Sequence, residues 1–330
     1  MKNSFIFFTV LFFFNCKSRL DKVDTFFDSS KIVVDDSSNK IISGKILFQV
    51  AVRDFFKEGA INDIGYGETS LRYLIPLSFY KDKEFFYIPD RSKLSLNILN
   101  PQGQISGSVK LPLKDFVFYK IEHFRSYWYL VDFDRGLTVL DAQLKTKFND
   151  EKTTDFHVDK DLDNIYFENM MNDERALLDQ NGILKSPLKI EYLSCFIENS
   201  TLFGISDRGD NHYTIVMKNL NDGSESEYLS FDTSCNECFI MPILLDKNYI
   251  LSSTNTPSIM DQITVINSDN LSITNYSLEY PDKVNPIIND ISASISYSGY
   301  VYFYDNRSRI LYSLCTDKTT IKVFSFDLNV

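Results

Sequence analysis

One unit recurs along this chain. Residues 127–147 read YWYLVDFDRGLTVLDAQLKTK: an apolar, aromatic run to Asp132, a turn over 133–136, and a second apolar run from Leu137 to Leu140. A further turn at 141–143 leads into an alternating segment, Leu144 to Phe148. Runs rich in β-branched and aromatic residues, bounded by Asp and Gly, are strand and hairpin signals. The pattern returns at 84–103 (EFFYIPDRSKLSLNILNPQG), 201–220 (TLFGISDRGDNHYTIVMKNL) and 299–314 (GYVYFYDNRSRILYSL). Weaker copies occupy 164–182 and 248–267. First strands begin near 85, 127, 164, 201, 248 and 300, at spacings of about 37 to about 52 residues.

A strand can be drawn before each hairpin, at Leu71–Tyr80, Phe116–Ile121, Asp155–Val158, Tyr192–Glu198, Phe239–Leu245 and Ile291–Tyr297. A closing strand follows each, at Ile105–Leu111, Leu144–Phe148, Ile183–Leu188, Glu225–Phe231, Ile273–Leu278 and Thr320–Phe326. Four strands per repeat at this period predict an all-β fold, a β-propeller of six four-stranded blades. A ring suits such sheets because each buries its faces against its neighbours, whereas a lone sheet exposes two faces and two edges. A seventh blade requires Ile46–Phe56 and Lys31–Asp35 to supply more than one closing strand. The rival architecture, two β-sandwich domains, does not call for one unit six times over.

The N-terminus reads differently. Lys2 is followed by an apolar run, Phe5 to Phe14, broken only by Thr9. As a helix it reaches about 15 Å, short of a hydrocarbon core of about 30 Å, which is the pattern of an export signal. The run ends in Phe13-Phe14-Asn15-Cys16, which resembles a relaxed lipobox of bacterial lipoproteins, with Phe and Asn where Leu and Gly or Ala are usual. That resemblance implies a signal peptide over residues 1–15 and a lipidated Cys16. Residues 16–44, rich in Ser, Asp and Lys, read as a tether, and residues 45–330 as the propeller domain. Several acyl chains on one Cys give a stable membrane anchor. The charge of −11 becomes −12 once the signal and its single cation, Lys2, are removed. An acidic body repels phosphate backbones, so nucleic acid is not expected as a partner. A monomer is expected.

Some residues invite a chemical reading. Asp90-Arg91, Asp134-Arg135, Asp207-Arg208 and Asp305 with Arg307 fall in the central hairpin turns, which would ring one face of a propeller. They read either as a surface for a partner or as turns that Asp caps through side-chain to backbone hydrogen bonds. Cys235 and Cys238 form a CxxC before a strand. In an exported chain this favours a local disulfide, with an uninvolved pair as the next reading, over a redox or metal site, which would need a helix start or further ligands. Cys195 and Cys315 sit in apolar strand contexts and read as buried small residues. Trp128 reads as packing between blades. His123, His157 and His212 do not cluster in the sequence, so neither a His-based triad nor a metal site is expected, and no cofactor is implied.

The repeat resembles NHL-type and related six-bladed propellers over about residues 71–326. Its motif is loose: strand, Asp-containing turn, strand, then a turn such as Pro101-Gln102-Gly103 or Gln180-Asn181-Gly182. The WD40 Gly-His and Trp-Asp signature is absent. The resemblance implies a non-enzymatic binding platform for a protein or glycan, and the lipobox-like N-terminus places it, lipid-anchored, in the bacterial cell envelope, with the outer membrane preferred. The alternative it implies is a channel-centred, metal-dependent hydrolase of the lactonase kind, for which Glu68, Asp115, Asn289 and Asp290 lie in suitable loops. A surface adhesin built from sandwich domains is a third reading.

Overall fold

The computed structural model describes residues 40–52 and, within 78–329, all but 91, 114–117, 133–134, 172–173, 189–191, 210–211, 233–240, 247, 254–261, 268–272, 282–288, 293–294, 298–299, 306–307 and 317–319. Two strands precede the first repeat, β1 (Lys40–Ser43) and β2 (Lys45–Ala51). The first sheet runs β3 (Tyr80–Lys81), β4 (Phe86–Asp90), β5 (Ser95–Leu99), β6 (Ile105–Lys110). The second is β7 (Phe118–Phe124), β8 (Tyr127–Asp132), β9 (Gly136–Leu140), β10 (Thr146–Asp150). The third is β11 (Thr153–Asp159), β12 (Asn164–Met171), β13 (Glu174–Asp179), β14 (Leu184–Leu188). The fourth is β15 (Tyr192–Glu198), β16 (Thr201–Gly209), β17 (His212–Asn219), β18 (Glu225–Asp232). The fifth is β19 (Met241–Asp246), β20 (Asn248–Ser253), β21 (Gln262–Asn267), β22 (Ile273–Glu279), with β1 added in parallel beside β22.

A separate hairpin, β23 (Asn289–Ser292) with β24 (Ile295–Tyr297), precedes the last sheet. That sheet runs β25 (Tyr300–Asp305), β26 (Ile310–Thr316), β27 (Thr320–Asp327) and then β2 from the N-terminal side. End strands of neighbouring sheets touch: β3 with β7, β11 with β15, β15 with β19, β19 with β25, and β25 with β3. β11 lies against β8 and β9, which joins the second sheet to the third. The six sheets therefore close into a ring, the β-propeller expected from the repeat.

The last blade departs from expectation. Ile291–Tyr297 does not supply its first strand; residues 289–297 pair among themselves. The fourth strand is β2, antiparallel to β27. Ile46–Phe56 thus contributes one strand to the sixth blade, and no seventh forms among the described residues. A strand from one end of the chain paired with the last strand of the other ties the ring shut and covers an edge that would otherwise stand open. β1 also begins at Lys40, inside the stretch read as tether. The strand before Asn164, drawn in the sequence over Asp155–Val158 alone, is a full seven residues, β11.

The core lies between sheets. Phe48, Phe86, Ile88, Tyr312 and Val323 pack the sixth blade on the first. Leu96, Ile121, Trp128 and Leu140 join the first to the second, with the rings of Tyr87 and Trp128 4.8 Å apart. Leu137, Phe156 and Ile165 join the second to the third, and Tyr166, Leu177, Ile197 and Val216 the third to the fourth. Flat aromatic and branched side chains fill the narrow gaps between twisted sheets well.

A single turn design recurs between third and fourth strands. Asn100 Oδ1 accepts from the backbone N–H groups of Gln102 and Gln104, Asp141 Oδ1 from Gln143 and Lys145, and Asp179 Oδ1 from Asn181 and Ile183. Three residues after each acceptor the backbone turns left-handed, at Gly103, Leu144 and Gly182. An Asx side chain that satisfies two turn amides, followed by a residue at positive φ, fixes the reversal locally.

Candidate functional site

Of the turn residues singled out in the sequence, Asp90, Arg135, Arg208 and Asp305 are described with their side chains. Cys16, Arg91, Asp134, Cys235, Cys238 and Arg307 lie outside the described residues, as do Glu68, Asp115 and the side chains of Asp207, Asn289 and Asp290. Asp90 ends β4 and is fully buried. Its carboxylate accepts from Ser92 Oγ at 2.6 Å and the Lys93 N–H at 3.2 Å, with Lys93 Nζ at 3.6 Å. It is a turn cap. Asp305 likewise accepts from Ser308 Oγ at 2.7 Å.

The four Asp turns do not share one position. Asp90 and Asp207 belong to the second strands of their sheets, at the approach to the third. Asp305 ends β25, the first strand of its sheet, because β2 fills the fourth place there. The last repeat is thus displaced by one strand relative to the others. Arg135 stands exposed in the turn from β8 to β9, and Arg208 stands exposed near the turn from β16 to β17, 2.9 Å from the exposed Glu227.

A compact, largely buried cluster of titratable side chains lies elsewhere, between the third and fourth sheets. His157 projects from β11, Glu168 from β12, Arg175 from β13 and Cys195 from β15. Glu168 Oε1 lies 2.8 Å from His157 Nε2 and 3.3 Å from Cys195 Sγ, and Sγ lies 3.6 Å from Nε2. Arg175 donates to the other oxygen, Oε2, from Nε at 3.1 Å and from Nη2. Asp155, opposite Glu168 in the β11–β12 register, accepts from Lys120 Nζ at 2.7 Å, and that ammonium sits 4.8 Å from the centre of the Phe156 ring.

The electrostatics follow from burial and pairing. Burial pushes the Glu168 carboxyl up, but the hydrogen bond and charge of His157 and the Arg175 guanidinium pull it well below the usual carboxylate range. Burial, reinforced by the charges of Glu168 and Asp155, pushes the Cys195 thiol well above its ordinary value. A thiol held protonated is a poor nucleophile. The thiol and the carboxylate also meet the same imidazole nitrogen, so the ring has no second face with which to relay a proton between them. The arrangement is not a nucleophilic triad.

This cluster was barely legible in the sequence. His157, Glu168 and Cys195 lie on three strands with no motif spacing, and each is individually unremarkable in a strand. One cue existed: Asp155, His157 and Asp159 put a titratable group at every second position of a strand, on one side of it. Strand alternation alone could not say that Cys195 of the next blade faces them.

No protein-family model matches the sequence, and no curated protein does. Solved structures do resemble the fold. The Neurospora crassa Pan2 WD40 domain aligns with a TM-score of 0.53 at 9% identity, over 89% of this chain and 98% of that one. A streptogramin B lyase structure aligns with a TM-score of 0.45 at 15% identity, over 75% of this chain and 78% of that one. The Pan2 comparison is a likeness of fold, reached without the WD40 sequence signature, and it agrees with the ring of four-stranded sheets: the chain is a β-propeller.

Proposed function

We propose that the protein is a non-enzymatic binding platform of the bacterial cell envelope, an NHL-like propeller anchored by lipid on Cys16, that takes a protein or glycan partner. The observation that carries this reading is the repeated display of Arg. Arg135 and Arg208 stand exposed at equivalent turns of the second and fourth sheets, on blades whose own turns are tied down by buried or backbone-bonded Asx residues. A solvent-exposed pair such as Arg208 with Glu227 is worth at most about 1 kcal/mol, so a partner carboxylate or hydroxyl can replace Glu227 at little cost. Fold alone names no function, since propellers host many. The lactonase alternative gains no comparable support from the described residues.

The test is recovery of a partner from native envelope by the full-length protein in detergent, beside a variant carrying Arg91→Ala, Arg135→Ala and Arg208→Ala. A partner held by the native chain and lost by the variant is expected. Equal recovery by both refutes the assigned turns, and no specific recovery by either refutes the platform.

A further inference from the structure

We propose that His157, Glu168 and Cys195 form a binding site for a borderline-soft divalent cation of the zinc class, set between the third and fourth sheets. The inference is independent of the platform reading. Three donor atoms of three types, an imidazole nitrogen, a carboxylate oxygen and a sulfur, lie within 4.8 Å of one another. A tetrahedral ion with bonds of about 2.0 Å to nitrogen and oxygen and about 2.3 Å to sulfur holds its donors roughly 3.3–3.6 Å apart. The separations here are 2.8, 3.3 and 3.6 Å. Movements of a few tenths of an ångström therefore suffice to seat the ion.

The surroundings fit that task. Arg175 takes only Oε2 of Glu168, which fixes the carboxylate plane and leaves Oε1 turned toward the imidazole and the sulfur. Outer groups that orient a ligating carboxylate in this way are the usual support of a metal centre. The donors come from adjacent strands of one sheet and the first strand of the next, so the backbone holds them in place. On binding, the Cys195 sulfur gives up its proton to solvent and coordinates as thiolate, and His157 gives up to solvent the Nε2 proton that it now shares with Glu168, coordinates through Nε2 and keeps its remaining ring proton on Nδ1. A sulfur and an imidazole favour zinc or cobalt over calcium or magnesium, which prefer oxygen donors throughout. Three protein donors leave a fourth tetrahedral position for water or an added ligand.

The test uses the full-length protein loaded with Co²⁺ and then with Zn²⁺, with metal content read by mass spectrometry and the cobalt form by absorption. One ion per chain and a thiolate-to-cobalt charge-transfer band are expected. Cys195→Ser removes the band, whereas Cys235→Ser with Cys238→Ser leaves it in place. X-ray absorption on the cobalt-loaded native chain reads the site without any variant, and a shell with one sulfur and two or three lighter donors is expected. Failure to retain one ion per chain overturns the proposal. So does a band that survives Cys195→Ser but vanishes without the CxxC pair, or a shell with two sulfurs or none.

Discussion

Arg175 grips one oxygen of Glu168 and leaves the other to its neighbours, with Nε 3.1 Å from Oε2. The pair spans β12 and β13, and the Glu168 side chain is 2% exposed against 29% for Arg175. Removing one partner of a largely buried ion pair strands the other in a poorly solvated site. Glu168→Ala is therefore expected to lower the unfolding free energy by about 3 kcal/mol, measured by urea denaturation. A loss below about 1 kcal/mol, the value of an exposed pair, contradicts this burial.

Two glycines at similar backbone angles separate conformational cost from steric cost. Gly136 and Gly182 have φ of +69° and +75°. A Cβ on Gly136 would sit 2.3 Å from the Asp150 carbonyl oxygen, whereas none of the surroundings lies within 4 Å of a Cβ on Gly182. Gly182→Ala is expected to cost about 1 kcal/mol, the left-handed penalty alone. Gly136→Ala is expected to cost at least twice that, because a backbone oxygen cannot simply rotate away. Equal losses in thermal or urea unfolding would contradict the close approach of β9 to the end of β10.

Acid should weaken the fold through particular carboxyls. The Asp141 carboxyl is pulled down by the Lys145 and Gln143 N–H groups, against a smaller upward push from burial. Burial pushes Asp179 up, but the Ile183 and Asn181 N–H groups together with Lys185 outweigh it. Glu168 is also depressed, for the reasons given above. A carboxyl depressed on folding stabilises the native state above its unfolded value of about 4, and that contribution is lost as pH falls through the folded value. Unfolding free energy is expected to be flat from neutrality to about pH 5 and to drop below about pH 4. Asp141→Asn should shrink the drop while keeping the fold, since Asn100 makes the same two bonds in the first sheet. An unchanged acid limb in that variant would refute the assignment.

The proposed anchor has its own test. In bacteria fed a labelled fatty acid, the native chain is expected to carry label and to sediment with membranes. Cys16→Ser should abolish the label and release the protein to the soluble fraction. Label that persists in the variant rules out Cys16 as the lipid site.

The ring was legible in the sequence because its signals are local. Residues 127–148 carry their own strands and turns, and the recurrence of Asp or Asn three residues before a left-handed position can be read at 100–103 and 179–182. The closing strands expected at Glu225–Phe231 and Thr320–Phe326 match β18 and β27 to within one residue. What escaped was long-range. Nothing in Lys45–Ala51 announces pairing with residues 320–325, some 270 positions away, because any alternating strand satisfies the same local rules. That pairing also moved Asp305 out of the position shared by Asp90 and Asp207. The His157, Glu168 and Cys195 cluster was hidden for the same reason: it exists only once two blades face each other.

β2 completes the sixth sheet, and its Phe48 packs that sheet against the first, so its pairing with β27 is where the two ends of the chain close the ring. Gln49 and Lys322 are direct partners in the register of β2 and β27, and antiparallel partners of this kind bring their Cβ atoms to about 5 Å, close to the reach of a disulfide. The most direct measurement is therefore disulfide mapping by mass spectrometry of the full-length chain carrying Gln49→Cys and Lys322→Cys. A near-quantitative bond between the two introduced positions, with a raised midpoint of thermal unfolding that reduction reverses, is predicted. Reduced thiols at both positions in the folded protein would contradict closure of the ring by the N-terminal strand.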